Sequence, residues 1–266
     1  MKLREFKKYL KVYFLFTHAA FAQSLITRFS SIIFIIGKVL RFLFSLFLVL
    51  LIIGKAQGVV GYTLPQAVLF FLIFNLVDVV VQVLLRGVYW FRRTIVTGNF
   101  DFYLTKPLNP LFRSLFCYTD FLDILTLIPL SIFTVNYIFQ NSLMPDFQNL
   151  LLFIFIFINA CFFALDFHII VLAIGVLTTE VDHIIWIYRD FSGMLKLPIE
   201  IYNQPLRFFL TFVVPVVIMT NFPARALMGI LSWQWVIYSF CASWVLFFVS
   251  LRFWKFALTK YSSASS

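Results

Sequence analysis

Asn75, Asp78, Gln82 and Arg86 recur at i, i+3, i+7 and i+11, a spacing that places all four on one face of a helix. The run that carries them, LFFLIFNLVDVVVQVLLR, is otherwise apolar. Lys38, Arg41 and Ser45 form a second stripe of this kind, and Asp120, Asp123 and Asp166 place three further carboxylates in greasy surroundings. Charges held in such surroundings are expensive, and four uses account for them. They pair and orient helices, they line a polar path, they seal a seam between subunits, or they pass protons between carboxylates. Hydrolytic and metal chemistry has no comparable support. The chain contains no GxxxxGK[ST], HExxH, GxSxG or CxxC pattern. His18, His168 and His183 lack partner ligands at metal spacing and read as structural. Cys117, Cys161 and Cys241 are far apart in apolar runs and read as packing residues. No catalytic residue, metal or cofactor is expected.

The elements that hold these stripes follow from composition. Of 266 residues, 62% are hydrophobic and 12% charged, where a soluble domain carries roughly 25% charged residues. An all-α polytopic membrane protein is expected, because dyad alternation is absent and long apolar runs reach the roughly 20 residues that a spanning helix needs. Spans are expected at 32–53, 65–86, 113–139, 149–177 and 233–252. The net charge of +10 raises the question of a nucleic-acid partner, but placement answers it. Fourteen of the 21 Lys and Arg residues cluster before the first span, in 86–113 and at the carboxyl end. The loop 54–64 holds only Lys55, and 140–148 holds none. That asymmetry predicts membrane orientation, with both termini cytoplasmic in the plasma (inner) membrane and no nucleic-acid partner.

Residues 2–17 put Lys7, Lys8 and Lys11 opposite Phe6, Leu10 and Phe14, the pattern of a helix lying in the lipid interface. Between 178 and 232 the pattern is mixed. The stretch EVDHIIWIYRDFSGMLKLP is rich in charge, and LRFFLTFVVPVVIMTNFPAR is broken by Pro215 and Pro223. An even number of crossings returns the basic carboxyl end to the cytoplasm, so one of the two crosses fully. The preferred assignment makes 181–199 a protein-lined fifth span and 206–229 a re-entrant hairpin, six spans in all; the swapped assignment stands beside it. At 1.5 Å per residue, Lys38 and Arg41 come about as deep as Asp78, Asp120 and Asp123, and one of the two cations is the expected partner of Asp78.

Residues 87–112 break the apolar pattern on the cytoplasmic side. Gly98 ends a helix that starts near Trp90, Asp101 caps the next turn, and Pro107 and Pro110 stop it. Exposed aromatic side chains on such an element point to docking.

Ile95, Gly98, Asp101, Leu104, Pro107 and Pro110 fit the spacing I-x-x-G-x-x-D-x-x-L-x-x-P-x-x-P. With FVVPVVIMTNFPARAL and the ending RFWKFALTKYSSASS, the chain resembles the permease subunits of ATP-binding-cassette exporters of the second (ABC-2, polysaccharide and drug export) class. The resemblance implies one six-span permease domain over 1–266, a second permease chain, the same or related, and a separate nucleotide-binding ATPase subunit. It maps an elbow helix onto 2–17 and the coupling helix onto 90–106. Arg92, Arg93, Gly98, Phe100, Asp101, Phe102, Tyr103 and Leu104 are then the expected ATPase-coupling residues, with membrane lipid around the spans. The density of charge at 180–196 departs from the family's pattern. Two other classes remain: a membrane scaffold or immunity-type subunit that moves nothing, and an ion-coupled carrier that uses the inner charges.

Overall fold

The computed structural model describes residues 3–26, 28–55 and 61–262, and every regular element in them is helical. Helix α1 (Leu3–Ile26) is followed by α2 (Arg28–Lys55) and α3 (Leu64–Leu85). The start of α3 is fixed by its sequence. The Gln66 amide N–H donates to the Thr63 hydroxyl, the Thr63 N–H donates to the Gln66 side chain, and Pro65 sits in the first turn. With Phe70, Phe71, Leu72 and Ile73 all buried, this part of α3 is covered around its whole circumference. That makes it the inner helix of the bundle, touched by α2 and by the later elements α7 (Phe121–Gln140), α8 (Phe147–Thr178) and α11 (Val217–Leu227).

Between α3 and α7 lie a 3₁₀ turn (Arg86–Trp90) and the short helices α4 (Phe91–Val96), α5 (Asp101–Thr105) and α6 (Pro110–Phe116). Gly87 lets this segment fold back on itself, since a Cβ there would fall 2.7 Å from the carbonyl oxygens of both Ser114 and Leu115. The third span begins later than the expected 113. α6 is a separate helix, and Asp120 starts α7 by accepting the Leu122 N–H at 3.0 Å. The amino-terminal helix is also longer than the expected 2–17. It packs along the same end of the bundle through Lys8 to the Pro107 carbonyl (2.5 Å), the Tyr9 hydroxyl to the Asn109 N–H (3.2 Å) and Phe21 on Phe121 (4.4 Å between ring centroids).

Among the described residues, five helical stretches are long and apolar enough to cross a bilayer: Phe29–Gly54, Leu64–Val96, Phe121–Gln140, Phe147–Thr178 and Trp233–Lys260. The last lies in α12 (Trp233–Lys260). Helix α9 (Val181–Met194) is not among them. Its 14 residues reach about 21 Å against the roughly 30 Å of hydrocarbon. The expected helical span 181–199 is therefore corrected: Pro198 cannot continue a helix and disfavours it in the residue before, so the chain unwinds after Met194.

The segment still runs the length of α3. Asp182 meets Arg92 (3.7 Å), Arg189 meets Asp78 (3.5 Å), Lys196 stands 5.8 Å from the Phe74 ring, and Glu200 lies beside Tyr62. Helix and unwound segment together lie along α3 from Arg92 to Tyr62.

Beyond it, α10 (Gln204–Phe208) continues as a π turn to Val213, and this leg meets α11 at 98° across Pro215. Arg207 at the start of the first leg donates to the Glu200 carbonyl, and Arg225 near the end of the second pairs with the Glu200 carboxylate. Both legs of the bent pair are thus tied to Glu200, and the bend is compatible with a broken span as well as with the re-entrant hairpin expected at 206–229.

Candidate functional site

The polar stripe of α3 is one strand of a longer chain of contacts. From α7, Asp120 meets the Arg86 Nε at 3.3 Å. Arg86 donates to Gln82 (3.2 Å), and Gln82 donates to Asp78 (2.8 Å). Arg189 of α9 then donates to Asp78 (3.5 Å) and to the Tyr89 hydroxyl (3.0 Å). A connected network of this kind satisfies charges that would be costly one by one. Lys38 of α2 pairs separately with Asp123, whose side chain is fully buried. The expected partner of Asp78 is thus corrected. Lys38 is engaged by Asp123, and the cation that reaches Asp78 comes from the short ninth helix.

The remaining members divide. Asn75 turns back to its own helix and donates to the Phe71 carbonyl at 2.7 Å. Asp166 is fully buried on α8 and stands apart, with no ion-pair or hydrogen-bond partner among the described residues. His168, also on α8, is buried with its Nδ1 at 2.7 Å from the Ala164 carbonyl oxygen. Arg41 is exposed and lines a cavity of about 330 Å³ between α2, α3 and α9, together with Asp78, Trp186 and Lys196. Asp120 is a helix cap at the end of the bundle, so the charged layer starts nearer that end than a third span from 113 implies.

The 90–113 segment forms a second site. Gly98 has φ +70°, a left-handed conformation that stops α4 at the expected place. Its neighbours face two ways. Phe100 is fully buried, ringed by Phe91 (5.2 Å), Tyr261 (5.0 Å) and Trp254 (6.3 Å), so its expected place on a docking surface is corrected to the core. Asp101 does not cap α5 with its side chain; its carboxylate accepts the Tyr261 hydroxyl at 2.9 Å. Arg92 is held by Asp182. Phe102, Leu104 and Arg93 are exposed.

Tyr103 is half-buried under the Arg113 guanidinium, 3.8 Å from its ring centre. Burial pushes the Tyr103 phenol and the Cys117 thiol up, so both stay neutral near pH 7. Arg93, Lys106, Arg113, Trp90 and Phe102 line a cavity of about 490 Å³ here.

Sequence reasoning missed Arg189 and Tyr261. Arg189 sits inside the charge-rich stretch 180–196, where spacing alone does not single out its partner, and a single tyrosine carries no periodic signal.

Neither a curated protein nor a solved structure matches the chain. A family model described as ABC-2 family transporter protein matches residues 39–265. The match takes in the polar stripe, the 90–113 segment, the bent hairpin and the carboxyl end, and on this evidence the chain belongs to the ABC-2 family of transporter proteins.

Proposed function

We propose that the chain is a single permease unit of an exporter, working as a pair of permease chains and driven by a separate ATPase beneath the 90–113 segment. The observation that carries this reading is the exposed face of that segment. Phe102, Val96 and Trp90 are 60%, 56% and 43% exposed on an element that is otherwise bolted into the bundle. An apolar surface on a rigid mount suits a partner that pushes on it. The mount is continuous with α12 through Phe100 and Tyr261, so a push on the segment is carried into a spanning helix. Arg41 and Asp190, exposed beside the membrane-depth cavity, support a second permease chain covering the face of α2 and α9, because bare lipid is a poor neighbour for them.

Phe102→Ala combined with Tyr103→Ala is expected to leave folding and membrane insertion intact and to uncouple ATP hydrolysis from transport. Hot spots of this type are worth about 2 kcal/mol or more. Transport by vesicles containing permease and ATPase, measured with co-purification, checks it. Normal assembly with normal transport in the variant removes these residues from coupling. Normal assembly with no transport even in the unaltered protein favours a scaffold instead.

Orientation follows from the basic clusters, with the 90–113 segment and both termini cytoplasmic and α1 in the lipid interface. Met144, 54% exposed in the opposite loop, offers the check. In a background with the three native cysteines replaced, Met144→Cys is expected to react with an impermeant maleimide from outside intact cells. Labelling only after lysis reverses the topology.

A further inference from the structure

The cavity between α2, α3 and α9 holds more cations than its carboxylates occupy. Asp78 is taken by Arg189, which also holds Tyr89. That leaves Arg41 and Lys196 on the lining, and neither pairs with a carboxylate among the described residues. Arg41 and Lys196 line one cavity, so two cations share it. Asp190, the remaining carboxylate on the lining, is exposed and forms no ion pair among the described residues. One positive charge is left in excess.

Depth sharpens the point. Phe42, next to Arg41, packs its ring against Phe71 at 5.3 Å between centroids, and Lys196 lies over Phe74. These levels are about 10–15 Å from the amino-terminal end of α3, inside the apolar band. Two like charges there repel each other across a low dielectric, and an anion between them is the group that relieves the repulsion. The walls are not uniformly polar. Phe74 backs Lys196, and Trp186 is 56% exposed at the rim. The volume of about 330 Å³ is at the lower end of ligand sites, roughly 300–1,000 Å³. It suits a headgroup better than a whole large solute.

Resting on the reading of the chain as a transport subunit, we propose that this cavity binds an anionic amphiphile. Its phosphate or carboxylate headgroup sits between Arg41 and Lys196, and its hydrocarbon chain lies against Trp186.

Binding requires no ATPase, which allows a direct test on the full chain purified in neutral maltoside micelles. Bromododecyl phosphate is the probe, because bromine quenches a nearby indole. The Trp186 share of the signal is obtained by difference from Trp186→Phe. Saturable quenching is expected, competed by dodecyl phosphate and unaffected by inorganic phosphate. Arg41→Gln, a change at an exposed unpaired side chain that leaves folding intact, is expected to weaken binding about tenfold, the effect of roughly 1.4 kcal/mol. Lys196→Gln acts in the same direction.

Equal quenching by bromododecyl trimethylammonium, or unchanged affinity in a folded Arg41→Gln protein, overturns the proposal. Competition by inorganic phosphate as strong as by dodecyl phosphate overturns its amphiphile half. Vesicle transport with the ATPase is scored separately. Loss of quenching with transport intact removes this site and leaves the permease reading. Quenching as expected without ATP-driven transport removes the permease reading and leaves an anion-binding membrane protein.

Discussion

Arg189→Leu is expected to cost the folded chain about 3–5 kcal/mol, and Asp78→Leu a similar amount, because each leaves the other's charge uncompensated inside the bundle. The side chains of Arg189 and Asp78 are 9% and 20% exposed, so each depends largely on the other for compensation. The double replacement, which removes both charges together, is expected to cost clearly less than either single one. A double-mutant cycle on unfolding midpoints in micelles, followed by tryptophan fluorescence, isolates the coupling. Tyr89→Phe serves as a calibration. It removes one hydrogen bond to Arg189 and is expected to cost about 1 kcal/mol. Single variants that cost no more than Tyr89→Phe exclude the ion pair as the link between α3 and α9.

The second large effect lies at the other site. Phe100→Ala empties a fully buried ring position between Phe91, Trp254 and Tyr261 and is expected to cost about 3–5 kcal/mol. Phe102→Ala, two residues on, removes a side chain that is 60% exposed and is expected to cost under about 1 kcal/mol. Limited proteolysis around Gly98 reads the same contrast kinetically, with cleavage faster in Phe100→Ala and unchanged in Phe102→Ala. Equal cost at the two positions contradicts the division of this segment into a buried and a presented face.

That division marks the limit of what periodicity carries. The spans were legible because a helix crossing lipid needs a long apolar run, and such runs are visible in composition alone. The stop at Gly98 was legible because a left-handed residue after a helix favours glycine. Phe100 and Phe102 are alike in type and lie in a segment too short for a helical period, so only the tertiary partners on α12 separate them. The same holds for the charges. The stripe on α3 follows from its own spacing, whereas the choice of Arg189 over Lys38 for Asp78 depends on where an interrupted crossing comes to rest. Asp120 comes out too deep from the sequence because α6 and α7 read as one apolar run, and the break between them is set by a cap rather than by hydrophobicity.

The unwound stretch after α9 depends on one side chain. Asn221, fully buried on α11, accepts the Ile199 N–H at 2.7 Å and donates to the carbonyls of Leu195 (3.2 Å) and Leu197 (3.3 Å). It stands in for the peptide partners that a continuous helix would have supplied. In a saturation mutagenesis screen scored by transport, position 221 will therefore look like a cargo-contact residue: intolerant to nearly every replacement, polar, and fully buried. Its sensitivity measures the cost of keeping a broken helix inside the bundle, and a map of such scores alone would assign a cargo contact to a residue that holds up backbone.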